Sequence, residues 1–129
     1  MDNLLAGRRV LVVEDETLIL MMIEAMLQDL GCESVTSAGT CNQAISLIES
    51  QVFDAAMLDM NLDGRDSQTV ADALATRGVP FLYSTGNTTG HDLKKGFNGR
   101  AVLRKPFSFE ELTAALALLQ PGESRTARG

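Results

Sequence analysis

Positive charge is scarce in this chain: 11 Lys and Arg stand against 17 Asp and Glu, for a formal net charge of -6. No basic patch offsets that balance, so nonspecific binding to a nucleic-acid backbone is excluded. No stretch approaches the roughly 20 consecutive apolar residues that span a bilayer. The opening residues Met1, Asp2, Asn3, Leu4, Leu5 and Ala6 put no positive region ahead of an apolar run, so no secretory leader is read and the expected location is cytoplasmic. Only two cysteines occur. Cys32 starts an expected strand and Cys41 lies in an expected helix, so both are read as reduced packing residues. The one histidine, His91, falls in a glycine-rich stretch and is read as an exposed polar residue. Repeats, linkers and low-complexity tracts are missing, so residues 1–129 are read as one domain, long enough to bury a core.

Hydrophobic residues are plentiful, at 45% against 22% charged, and they are grouped. Ala55, Ala56, Met57 and Leu58 run directly into Asp59, which is followed by a turn containing Asn61, Asp63 and Gly64. Val10, Leu11, Val12 and Val13 run into Glu14 and Asp15. A run from Val79 to Tyr83 ends at Ser84, Thr85 and Gly86, and a short one through Val102 and Leu103 ends at Arg104, Lys105 and Pro106. Continuous apolar runs of this length are strands covered on both faces, the mark of a parallel sheet, where functional groups collect at the carboxyl ends. Strands are expected over 8–13, 33–37, 53–58, 79–84 and 101–104, with Pro80 tolerable at a strand start.

Helices fill the intervals. Ile19, Met22, Ile23, Met26, Leu27 and Leu30 repeat at helical spacing and stop at Gly31. Thr40 to Gln43 has capping-box spacing and opens a helix with Cys41, Ala44, Ile45 and Ile48 inward. Val70, Ala73 and Leu74 mark a third helix that closes at Gly78. Ser108 to Glu111 is a second capping box ahead of Leu112, Ala115, Leu116 and Leu119. Between them, 86–99 holds four glycines and few apolar residues, leaving room for only a short, weak fourth helix near 91–97, with low local stability. Residues 121–129 are read as a frayed tail.

Alternating strands and helices with right-handed crossovers give an α/β fold: a flavodoxin-like (βα)5 three-layer sandwich with parallel strand order 2-1-3-4-5. That order makes the strands ending at Asp15 and Asp59 neighbours. Glu14, Asp15 and Asp59 would repel one another unless a cation lay between them. Hard carboxylate ligands suit Mg²⁺, which commonly accompanies phosphate. Asp59 can then serve as a nucleophile that takes up a phosphoryl group. In such a transfer, positioning and charge neutralisation dominate. Lys105 and Thr85 would hold two phosphoryl oxygens, and Gly86 would leave the group room to enter. Each residue alone is unremarkable; their joint placement at four strand ends is what carries the reading.

The runs through Glu14, Asp15 and Glu16, through Asp59 and Asn61, through Thr85 and Gly86, and through Lys105, Pro106 and Phe107 resemble the receiver domain of bacterial two-component response regulators. The resemblance spans about 8–120 and leaves almost nothing for an output domain. It implies that Asp59 accepts a phosphoryl group from a sensor histidine kinase or a histidine phosphotransfer protein. It implies Mg²⁺ held by Asp15, Asp59 and the backbone carbonyl of Asn61, with Glu14 acting through water, and a cis bond between Lys105 and Pro106. It also implies an unknown downstream protein partner and a signalling role rather than an enzymatic one. Val102 stands where many members carry an aromatic residue that couples to phosphorylation, so the segment 86–99 is read as the responsive element instead. The stretch from Pro80 to Gly86 is similar to the "FAT GUY" receivers, often single-domain partners of HWE-type kinases, although Asn87, Thr88 and Thr89 depart from the later part of that motif.

Two other readings compete. A metal-dependent phosphohydrolase could use Asp59 as nucleophile, but it calls for an acidic residue two positions on, where Asn61 stands. A pseudo-receiver acting only as a binding module would not need the intact set of Asp59, acidic pair, Thr85 and Lys105.

Overall fold

Because both faces of the sheet are covered, its central strands carry almost no polar residue until they end. In the computed structural model, which describes residues 5–62, 65–86, 100–105 and 107–119, β1 (Arg9–Val13) is buried at four of five positions and β3 (Ala55–Asp59) at all five. β2 (Ser34–Ala38) is more polar and more exposed. Two-residue strands β4 (Asn61–Leu62) and β5 (Arg65–Asp66) follow β3, and β6 (Phe81–Thr85) and β7 (Val102–Arg104) complete the set. The main sheet runs β2-β1-β3-β6-β7 with every neighbouring pair parallel. Read by its five long-range strands, this is the expected order 2-1-3-4-5. The polar and short strands stand at the edges, where half their surface meets water or a covering helix.

Period-two alternation sends side chains to opposite layers. Leu11, Val13, Ala56, Leu58, Phe81 and Tyr83 enter one core with α2 (Cys41–Ser50) and α3 (Gln68–Thr76). Val10, Val12, Met57 and Leu82 enter the other with α1 (Thr17–Asp29) and α4 (Phe109–Leu119). Both expected N-caps form, one of them as a full capping box. Thr40 Oγ1 accepts from the Gln43 N–H at 3.1 Å, while the Gln43 side chain takes the N–H of Gly39 rather than Thr40. Ser108 and Glu111 make the full reciprocal box, at 3.0 and 2.8 Å. Gly31 and Gly78 adopt φ of 84° and 70° after their helices, a conformation that strains any residue with a Cβ.

Four details depart from the sequence reading. Leu5, ahead of the expected start of the core, is fully buried, its N–H bonded to the Leu30 carbonyl at 3.0 Å. Met22, expected inward, is 38% exposed. Ala71 is buried in α3 while Ala73 is only half-buried. The turn after Asp59 is an antiparallel ribbon pairing Asn61 with Asp66 and Leu62 with Arg65. Cys32 and Cys41 are half-buried and free. The expected helix near 91–97, with His91, the responsive segment from 87 to 99, Pro106 and the tail 121–129, lies outside the described residues.

Candidate functional site

Four strands deliver the expected residues to one edge. β1 leads into Glu14, whose N–H is bonded to the Ala38 carbonyl at 2.9 Å, extending the β1–β2 pairing by one residue. β3 ends in Asp59, paired in register with Ser84, and the Met60 N–H bonds the Ser84 carbonyl at 2.9 Å. β6 ends in Thr85, whose carbonyl accepts from the Lys105 N–H at 2.8 Å just beyond β7. Glu14, Asp59 and Thr85 are buried, Asp15 is exposed, and Lys105 is half-buried. A Cβ at Gly86 would meet nothing within 4 Å, leaving that strand end open. Ser67, buried ahead of α3, donates to the Met60 carbonyl at 3.1 Å and ties the β3 exit to the helix.

The carboxylates do have a cation between them, and it belongs to the chain. Lys105 Nζ lies 3.0 and 3.3 Å from the two oxygens of Glu14 and 3.1 Å from Asp59 Oδ2. These partners are 91 and 46 residues away in sequence. Burial pushes the Lys105 ammonium toward losing its proton, but hydrogen bonding to Glu14 and the charges of Asp59 and Glu14 outweigh it and leave the group above its ordinary value. Burial likewise holds the Glu14 carboxyl above its ordinary value; the hydrogen bond from Lys105 opposes this and the charge of Asp59 adds to it. Glu16, the last of the acidic run, joins them. Its N–H bonds Glu14 Oε2 at 3.1 Å and its carboxylate lies 3.7 Å from Lys105 Nζ. Its position at the end of an acidic run was the only sequence signal.

Glu14, Asp15 and Asp59 each present a carboxylate oxygen within 4.8 Å of the others. Three carboxylate oxygens at that spacing, with one ammonium beside them among the described residues, fit a hard divalent cation. The expected aromatic position, Val102, pairs in register with Tyr83. That ring is buried and meets Phe81 edge-on at 5.4 Å, and the Arg100 guanidinium lies 4.0 Å over Phe81. The aromatic residues therefore line β6 rather than β7.

This fold and this strand-end constellation are those of phosphoacceptor signalling domains, and the chain belongs to the response regulator receiver domain family, whose model matches residues 10–117. It is 40% identical to SdrG from Sphingomonas melonis Fr1, with a TM-score of 0.76, covering 88% of this chain and 97% of that one. It is 33% identical to the receiver domain of the sensor histidine kinase PA1611 from Pseudomonas aeruginosa PAO1, with a TM-score of 0.74, covering 88% and 98%. That structure has a magnesium ion coordinated in its active site cleft. Among curated relatives, the transcriptional regulatory protein PdtaR of Mycobacterium tuberculosis is 32% identical over 114 residues, 86% of this chain and 56% of PdtaR. The chain thus spans about half the length of that relative. No helix among the described residues is long and apolar enough to cross a membrane.

Proposed function

We propose that the chain is a stand-alone receiver whose Asp59 accepts a phosphoryl group from a histidine kinase, of the HWE type, or from a histidine phosphotransfer protein, and that it signals by protein contact or drains phosphate from a relay. The observation that carries this is the buried Asp59 carboxylate beside the Lys105 ammonium at 3.1 Å, within a three-carboxylate cluster. The "FAT GUY" reading rests on the run from Pro80 to Gly86; the chain covers nearly the whole SdrG chain and about half of PdtaR.

A carboxylate oxygen of Asp59 attacks phosphorus as the bond to the donor imidazole nitrogen breaks, giving an acyl phosphate. Lys105 moves from Glu14 to a phosphoryl oxygen and neutralises it, and the Thr85 hydroxyl donates to another. Asp15, Asp59 and the Asn61 carbonyl would hold Mg²⁺, with Glu14 reaching it through water, and the ion would supply charge neutralisation for the transferring group. Exposed Asp15 is suited to direct ligation; Glu14, committed to Lys105, is suited to the outer role. Beside the site, α1 exposes Leu18 at 81% and Met21 at 58%. Ile19, Met22, Lys105 and Phe107 line a cavity of about 180 Å³. An apolar helix face from a kinase or phosphotransfer partner would fit there and bring its phosphohistidine to Asp59.

Label transfer from an autophosphorylated histidine kinase tests the reading. The wild-type protein is expected to gain hydroxylamine-labile label and Asp59→Ala to gain none. Full labelling of the variant, or label mapped to Asp63 or Asp66, would remove Asp59 from its role.

A further inference from the structure

Glu16 completes the ring of carboxylates around the Lys105 ammonium. That ammonium has three N–H donors, and its hydrogen bonds go inward, to Glu14 and to Asp59. Glu16 at 3.7 Å is beyond hydrogen-bond reach but within ion-pair range. The three acids differ most in exposure: the side chains of Glu14 and Asp59 are 1% and 6% exposed, and that of Glu16 is 64% exposed. Lys105 therefore has two inner partners and one outer one. The backbone of the outer one is tied to the site by its own N–H, which is bonded to Glu14 Oε2.

A divalent cation held by Asp15 and Asp59, with Glu14 reaching it through water, would claim the Asp59 oxygen that Lys105 now occupies, and two cations that close in a half-buried site would repel strongly. Lys105 has to withdraw, and the direction open to it is outward, where Glu16 stands. Resting on the reading of the site as a Mg²⁺ and phosphoryl site, we infer that Glu16 is a positioning residue. It receives the Lys105 ammonium as the latter leaves Glu14 and Asp59, and so eases the entry of a divalent cation.

Mg²⁺ titrations followed by amide chemical shifts test this through a double-mutant cycle. Glu16→Gln is expected to weaken Mg²⁺ binding about two- to five-fold in the protein that carries Lys105, the range of an exposed ion pair, and to leave it unchanged in the Lys105→Met background. Equal weakening in both backgrounds makes Glu16 a distant negative charge and overturns the inference. No weakening, or a tightening, beside Lys105 does the same. If Lys105→Met does not fold, the Mg²⁺-saturated wild-type protein decides the matter. Nuclear Overhauser contacts between the Lys105 ε-methylene and the Glu16 γ-methylene are expected, and an ε-methylene still seated against Glu14 overturns the inference. Wild-type protein that binds no Mg²⁺ overturns the site reading as well, whereas binding without coupling overturns the role of Glu16 alone.

Discussion

The carboxyl edge of the sheet and the layers beneath it obey opposite rules. Beneath the edge, most apolar residues of the central strands pass into one of two cores, and sequence pattern, register and burial agree. At the edge, every buried polar residue among those described gathers: Glu14, Asp59, Ser67, Ser84 and Thr85. Local consistency of the first kind gives a funnelled landscape. Collections of buried charge are the usual exception, retained where a site needs them. The fold is thus secured in one region and put to use in the other.

The sharpest test of that division is to damage the lower region. Leu11, fully buried at the centre of β1, loses its packing in Leu11→Ala. A cost of about 3 kcal/mol is expected, read as a lowered urea midpoint. Because the strand ends remain paired, Mg²⁺ affinity measured well below the midpoint should stay within about twofold. A large loss of affinity in the folded variant would show that core and edge are not separable. A smaller stability effect is expected at the edge from Lys105→Met, which leaves Glu14 and Asp59 without their shared ammonium. Removing one member of a buried pair costs about 3 to 5 kcal/mol. With 10% of the Lys105 side chain exposed, water can enter, and about 2 kcal/mol is expected from the same urea curves. A neutral result would mean that the ammonium contributes little to holding the edge together.

The same division explains how much could be read in advance. The strands were legible because a run such as Val10 to Val13 has only one economical burial, and Asp59 stood out because it interrupts one. Glycines 31 and 78, with positive φ, marked helix ends as expected. What escaped was set by contacts between distant segments. Nothing near Lys105 in the sequence says that its ammonium lies between residues 91 and 46 positions earlier. Leu5 joins the core from ahead of β1, with its N–H bonded to the Leu30 carbonyl. Asn61 and Leu62 belong to a stretch of ordinary turn residues, yet they pair with Asp66 and Arg65, next to the Ser67 hydroxyl bonded to the Met60 carbonyl. Helical spacing gave the inner side of α1 but not how far Met22 protrudes past the sheet.

The smallest expected effect also has the less obvious sign. Burial holds the Glu14 carboxyl above its ordinary value of 4.5, against the Lys105 hydrogen bond and with the help of the Asp59 charge. A carboxyl raised in the folded chain binds its proton more tightly there than in the unfolded chain. Its favourable contribution is therefore complete below 4.5 and is lost as the pH rises through the folded value. Above the folded value, ionised Glu14 favours the unfolded chain relative to its protonated form. Glu14→Gln keeps the shape and drops the charge, and Lys105 retains Asp59 at 3.1 Å. The variant is expected to be more stable than the parent at pH 7 by up to about 1 kcal/mol. That gain should shrink as acid protonates Glu14 in the parent, and be gone well below 4.5. Urea unfolding at stepped pH measures it. A variant less stable at pH 7 would show that the Lys105 pair outweighs the burial of the charge, and that this part of the edge supports the fold as the core does.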